Sequence, residues 1–114
     1  MIVVGGGIGG LAAGIALHKA GLEPLVLERA PELTEIGAGL GLAANALKAL
    51  DYLGAADAMR AKGVIAEENV WRGLDDREHI FTQQFGSMIE RFGDTYICAH
   101  RADLIDSLAA ALPE

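Results

Sequence analysis

Six of the first fourteen residues are glycine: Gly5, Gly6, Gly7, Gly9, Gly10 and Gly14. Each would cost a helix interior about 1 kcal/mol relative to alanine, yet residues 1 to 17 carry no charge at all. No basic residues precede the apolar run, so it does not read as a secretory signal, and the glycine cost argues against a membrane span of minimal length. A soluble turn between two regular elements is the remaining solution. Ile2 to Val4 is a short apolar, partly β-branched run and reads as a buried strand. After the glycines, Ile8, Leu11, Ala12, Ile15 and Ala16 recur at helical spacing until His18, Lys19 and Gly21, residues suited to a helix C-terminus. A second apolar run, Leu25 to Leu27, follows Pro24 and ends on Glu28. Strand, helix and strand follow without slack, so the strands should be parallel and the crossover right-handed.

Further along, Gly37, Gly39 and Gly41 read as a glycine-spaced loop. Ala46, Leu47, Leu50 and Leu53 form a helical pattern closed by Gly54, and Ala56 to Lys62 a short helix ending at Gly63. Between Val64 and Gln84, Val70 to Arg72 and His79 to Phe81 flank a turn at Gly73 to Asp76 and suggest a hairpin. Ala102 to Leu112 is a helix with Leu104, Ile105, Leu108 and Leu112 on one face, Asp103 in its first turn and Pro113 as its stop. The fold class is α/β, a Rossmann-like βαβ unit with additional helices and a possible hairpin.

The length of 114 residues suits one small domain. The net charge of −7 splits into −1 for residues 1–50 and −6 for residues 51–114. No basic stripe serves nucleic acid or an anionic membrane, and a soluble, cytoplasmic chain is expected. An anionic ligand must then be held by backbone dipoles and single arginines. The lone cysteine, Cys98, excludes an internal disulfide and reads as a buried small apolar residue. His18 and His79 lack ligand spacing, so no metal is implied. Asp75, Asp76, Arg77 and Glu78 read as a solvated turn and Trp71 as a packing residue.

Gly5, Gly7 and Gly10 form a G-x-G-x-x-G, a weak signal by itself in a chain with 15 glycines. Its context strengthens it: a strand precedes it, a helix follows, and an acid closes the next strand 21 residues after Gly7. Gly5 permits the turn, Gly7 lets backbone approach a pyrophosphate, and Gly10 allows helix and strand to pack closely. A diphosphate then meets the positive end of the helix. Glu28 would accept hydrogen bonds from ribose hydroxyls and repel a 2′-phosphate, which favours FAD or NAD over NADP in this pocket.

With VVGGGIGGLAAGIAL at the start, LVLERAPELTEIGAGLGLAANALKAL in the middle and HRADLIDSLAAALPE at the end, the chain resembles the FAD-dependent aromatic hydroxylases, single-component flavoprotein monooxygenases, and among them the salicylate hydroxylases. The resemblance implies the first part of an FAD-binding domain over residues 1–114, with the substrate domain absent. It assigns the FAD pyrophosphate to Gly5, Gly7 and Gly10, the adenosine ribose to Glu28 with Arg29 beside it, and the ribityl and pyrophosphate region to Arg101. His100 becomes a structural neighbour of Arg101. The loop from Gly37 to Gly41 should pass near the flavin ring, although relatives often carry a polar residue where this chain has Gly41. Asn45 reads as a cap of the helix that follows.

The implied reaction uses NADH or NADPH and oxygen to hydroxylate a small aromatic acid. The implied flavin carries the chemistry, so no catalytic side chain is named; the residues that select that acid, and a third parallel strand, are expected beyond Glu114, and these 114 residues alone are expected to be inactive. Two other readings stay open: an NAD-binding oxidoreductase fragment, which would need no arginine returning from a distant helix, and a non-enzymatic remnant.

Overall fold

The computed structural model describes residues 1–31, 38–75 and 78–113. Strand β1 (Ile2–Val4), helix α1 (Ile8–Lys19) and strand β2 (Leu25–Leu27) form the expected unit, and β1 and β2 are parallel with Val3 opposite Val26. Gly14 sets the packing distance between helix and sheet. A Cβ there would stand 2.8 Å from Val26 Cγ2 and 3.1 Å from Leu112 Cδ1, so only a residue without one lets α1 lie this close. The helix ends where Gly21, at φ +80°, donates its amide to the His18 carbonyl and turns the chain toward β2.

The reading of β1 and β2 as buried strands needs correction. Val3 and Val26 are half-buried, whereas Ile2, Val4, Leu25 and Leu27 are 64%, 85%, 57% and 46% exposed. A continuous apolar run signals a strand destined for cover on two faces; among the described residues, cover comes from the α1 side alone.

Strand β3 (Gly39–Leu42), helices α2 (Ala44–Leu53) and α3 (Ala56–Lys62) and strand β4 (Val64–Ile65) come next. They are followed by β5 (Glu68–Arg72), β6 (His79–Gln84), α4 (Met88–Phe92), β7 (Ile97–His100) and α5 (Arg101–Ala111). The supposed glycine loop is thus a strand where it can be described, and Gly37 lies outside the described residues. Its alternation explains why: Leu40 and Leu42 turn inward while Gly39 and Gly41 are exposed, the period of a half-buried strand. β7 sits between β3 and β4 and is antiparallel to both. Its own alternation buries Ile97 and exposes Cys98, so the expected burial of that thiol is also corrected.

The core lies where α1, α2, α3 and α5 meet β7, with Leu11, Ile15, Leu47, Leu50, Met59, Ile97 and Leu108 nearly sealed from solvent. Gly54, at φ +84°, ends α2 as expected. Arg60 clasps the periphery. Its guanidinium forms a bidentate pair with Asp51 of α2 at 2.7 and 2.8 Å, reaches Asp57 at 3.3 Å and bonds Asp94 ahead of β7. Hydrogen bonding to Arg60 holds the Asp51 and Asp94 carboxyls below their ordinary range and pushes the guanidinium further up. Lys62 pairs with Asp103 in the first turn of α5 at 3.2 Å.

The expected hairpin is present as β5 and β6, and it is longer than the sequence indicated, with a bulge between Trp71 and Arg72. Trp71 stacks on Phe81 with ring centroids 5.5 Å apart, but both rings are about half exposed, so Trp71 packs within the ribbon and not in the core. Of the expected solvated turn, Asp75 and Glu78 are exposed; Asp76 and Arg77 lie outside the described residues.

Candidate cofactor site

The glycine turn is held from both sides. The Gly5 amide donates to the Leu27 carbonyl at 2.7 Å, which extends the parallel pairing one residue past β1, and Gly5 then takes φ +106°. Only glycine adopts that conformation readily. One residue later the Gly6 amide donates to Glu28 Oε2 at 2.6 Å, while the Ala30 amide donates to Oε1 at 2.9 Å. Backbone donation from Ala30 and Gly6 keeps the Glu28 carboxyl below its ordinary range. The acid is therefore charged near neutrality and fixed in direction. A carboxylate has about four acceptor positions, so lone pairs remain for ribose hydroxyls.

The approach of α1 to this turn is set by Gly10, where a Cβ would fall 1.8 Å from the Gly5 carbonyl oxygen. Gly7 caps α1 without a side-chain hydrogen bond, and a Cβ on Gly7 or Gly9 would meet nothing within 4 Å. With no side chain capping the helix, its first-turn amides face open space, the arrangement that receives a diphosphate. Arg29 follows Glu28 on the exposed side.

A second group gathers at β3 and β7. The register places Gly39 opposite His100 and Gly41 opposite Cys98, and the Arg101 amide donates to the Ala38 carbonyl at 2.9 Å. Arg101 opens α5 directly after β7, and its Nε is withdrawn from solvent. Gly41 is occupied in an unforeseen way: a Cβ there would lie 1.9 Å from the Tyr96 hydroxyl oxygen. Tyr96 stacks on Phe85, with centroids 4.5 Å apart and planes within 4°. Asn45 does not cap α2: Ala43 holds that position, no side chain caps it, and Asn45 lies inside the first turn.

The structure thus joins Gly5, Gly7, Gly10 and Glu28 into one cradle, while Gly41 lies opposite Cys98 in the β3–β7 pair and Arg101 sits at the far end of that pair, against Ala38. The two groups share one body, because α1 and α5 bury Leu11, Ile15, Leu104 and Leu108 in the same core. Sequence reasoning missed the Gly6 amide as the partner of Glu28 and missed Tyr96 altogether. The apolar, β-prone stretch Tyr96 to Ala99 just before the His100–Arg101 pair was the available signal.

Fold and cradle define a Rossmann-type dinucleotide-binding α/β unit. A family model described as "FAD binding domain" matches residues 1–105, and the chain belongs to that family. Its sequence is 42% identical over 112 residues to 3-hydroxybenzoate 6-hydroxylase 1 of Aquipseudomonas alcaligenes, covering 97% of this chain and 28% of that protein. It is 37% identical over 114 residues to Monooxygenase 1 of Arabidopsis thaliana, covering 100% and 27%. Among solved structures, an arginine-to-glutamine variant of HpxO of Klebsiella pneumoniae complexed with FAD superposes with a TM-score of 0.81 at 29% identity, over 96% of this chain and 28% of that one. A 2-methyl-3-hydroxypyridine-5-carboxylic acid oxygenase superposes with a TM-score of 0.82 at 28% identity, over 97% and 28%. The chain therefore spans about 28% of the length of such relatives. Among the described residues no helix is long and apolar enough to cross a membrane.

Proposed function

We propose that this chain holds the ADP half of FAD and serves as the cofactor-binding part of a flavin-dependent monooxygenase acting on a small aromatic acid. The observation that carries the reading is the paired fixation of the glycine turn and Glu28 through the Gly6 amide, which sets a phosphate cradle beside a directed ribose acceptor. Gly5 and Gly10 shape the turn, the first-turn amides of α1 receive the pyrophosphate, and Glu28 receives the adenosine ribose. Arg101 binds the ribityl and pyrophosphate region, where a planar guanidinium suits phosphate oxygens, with Arg29 and the Gly41 backbone near the cofactor. FAD, once bound, supplies the redox chemistry, with NADH or NADPH as reductant and oxygen as co-substrate. The relatives named for hydroxybenzoates support the aromatic-acid class, and a salicylate-like acid is the finer reading. We place the working protein in the cytoplasm on its acidic balance and lone cysteine.

The test is a fluorescence titration of the chain with FAD, using ADP and FMN as competitors. The reading expects ADP to displace FAD and FMN, which lacks the ADP half, to leave it bound. Arg101→Ala should weaken FAD binding without changing NAD binding; equal loss of both would favour a general dinucleotide site.

A further inference from the structure

The last turn of α3 presses on both ends of the segment that carries Arg101. Ahead of β7, Arg60 bonds Asp94, and beyond it Lys62 pairs with Asp103 at 3.2 Å. Between the two, Gly63 ends α3 against β7 itself. A Cβ there would lie 2.1 Å from Ile97 Cγ2 and 3.3 Å from the Cys98 carbonyl oxygen, closer than a side chain permits. Residues 94–103 are thus held at their two ends and in between by one short stretch of chain, and Arg101 lies inside that span.

The hold beyond β7 sets a direction. Successive helix residues turn by about 100°, so Asp103 stands about 200° around α5 from Arg101. With Asp103 drawn to Lys62, Arg101 falls on the side of Leu104, Ile105 and Leu108, which face the core, and its Nε is withdrawn from solvent. The same pair answers a charge problem. A cation in the first turn of a helix opposes the dipole there, whereas an acid in that turn favours it. Lys62 keeps that acid on the flank away from Arg101. From this arrangement we propose that Lys62 is a positioning residue of the cofactor site: through Asp103 it fixes the start of α5, so that Arg101 is oriented before FAD arrives and less of its side-chain freedom is lost on binding. The proposal rests on the reading of Arg101 as an FAD-binding residue and deepens it, because Lys62 acts through Asp103 and not by contact.

The experiment is fluorescence titration of the 114-residue chain with FAD at neutral pH. Wild type, Lys62→Ala, Lys62→Arg, Asp103→Asn, Arg101→Ala and the double variant of Lys62→Ala with Arg101→Ala are compared, with circular dichroism confirming that each retains its fold. Lys62 and Asp103 are 47% and 32% exposed, and pairs of this kind shift an equilibrium about fivefold at most. Lys62→Ala and Asp103→Asn should therefore each weaken FAD binding roughly three- to fivefold. Lys62→Arg keeps the cation and should stay within about twofold of wild type. In the Arg101→Ala background, Lys62→Ala should cost nothing further, because the arginine it directs is gone. Wild-type affinity in folded Lys62→Ala and Asp103→Asn would overturn the inference. So would the same loss with and without Arg101, which would make the pair a support of the fold alone. Arg101→Ala with wild-type FAD affinity is a distinct outcome: it removes the cofactor role of Arg101, and the positioning role of Lys62 with it.

Discussion

Replacing Gly10 by alanine sets two effects of known size against each other. Alanine in a helix is worth about 1 kcal/mol over glycine, which on propensity alone makes Gly10→Ala stabilising. The added Cβ, however, would lie 1.8 Å from the Gly5 carbonyl oxygen and 2.9 Å from its carbon, whereas real Cβ contacts do not fall below 3.0 Å. Helix and turn must separate by roughly 1 Å, and overpacking of this kind costs about 1–3 kcal/mol or more. The obstacle is backbone, and Gly5 at φ +106° is anchored to Leu27, so relief by side-chain rotation is closed and the upper part of that range applies. The net expectation is a loss of about 2 kcal/mol, or a fall in Tm of roughly 8–16 °C for a domain of this size. Gly9→Ala is the internal control: the same helix, exposed, with nothing within 4 Å of the new Cβ, and it should gain up to about 1 kcal/mol. Thermal unfolding followed by circular dichroism reads both. Equal Tm values for the two variants, or a Gly10→Ala protein as stable as wild type, would refute the steric reasoning.

Other consequences follow from the charged groups. Glu28 has a depressed pKa in the folded chain, so its stabilisation is complete above the unfolded carboxyl value of about 4.3 and is lost as pH falls through the lower folded value. Urea unfolding from pH 7 to 3 should show a constant gap between wild type and Glu28→Ala down to about pH 5 that then closes; a gap that widens on acidification contradicts the assigned sign. Arg60→Ala strips the half-buried Asp94 of its cation and should cost about 1–2 kcal/mol after allowance for solvent screening. Adding Asp94→Asn should recover part of that cost, and a double variant no more stable than Arg60→Ala would count against the clasp.

The parallel βαβ unit was legible because every level of the sequence agreed there: apolar runs, helical period, glycine turn and terminal acid. What failed did so for identifiable reasons. Gly39 and Gly41 carry the lowest strand propensity, so the alternating leucines between them were discounted, yet β3 forms because β7 supplies its partner from nearly sixty residues away. The sequence reading assigns no element to Ile97–His100, where β7 forms between β3 and β4. Asn45 has a capping side chain at the wrong position, since α2 starts two residues earlier than its apolar pattern suggested. The exposure of Ile2, Val4, Leu25 and Leu27 was invisible because composition records what a strand is suited to meet and not what is present to meet it. At the site, the glycines and Glu28 were found by spacing, whereas the Gly6–Glu28 bond and the seat of Tyr96 over Gly41 depend on coordinates.

The most direct test of the central claim is the amount of flavin retained per chain after incubation of the purified protein with excess FAD and removal of free ligand. Close to one FAD per folded chain is expected, with retention lost when Gly7, where an added Cβ meets only open space, is replaced by a bulky residue. A cooperatively folded sample that retains no flavin would contradict it.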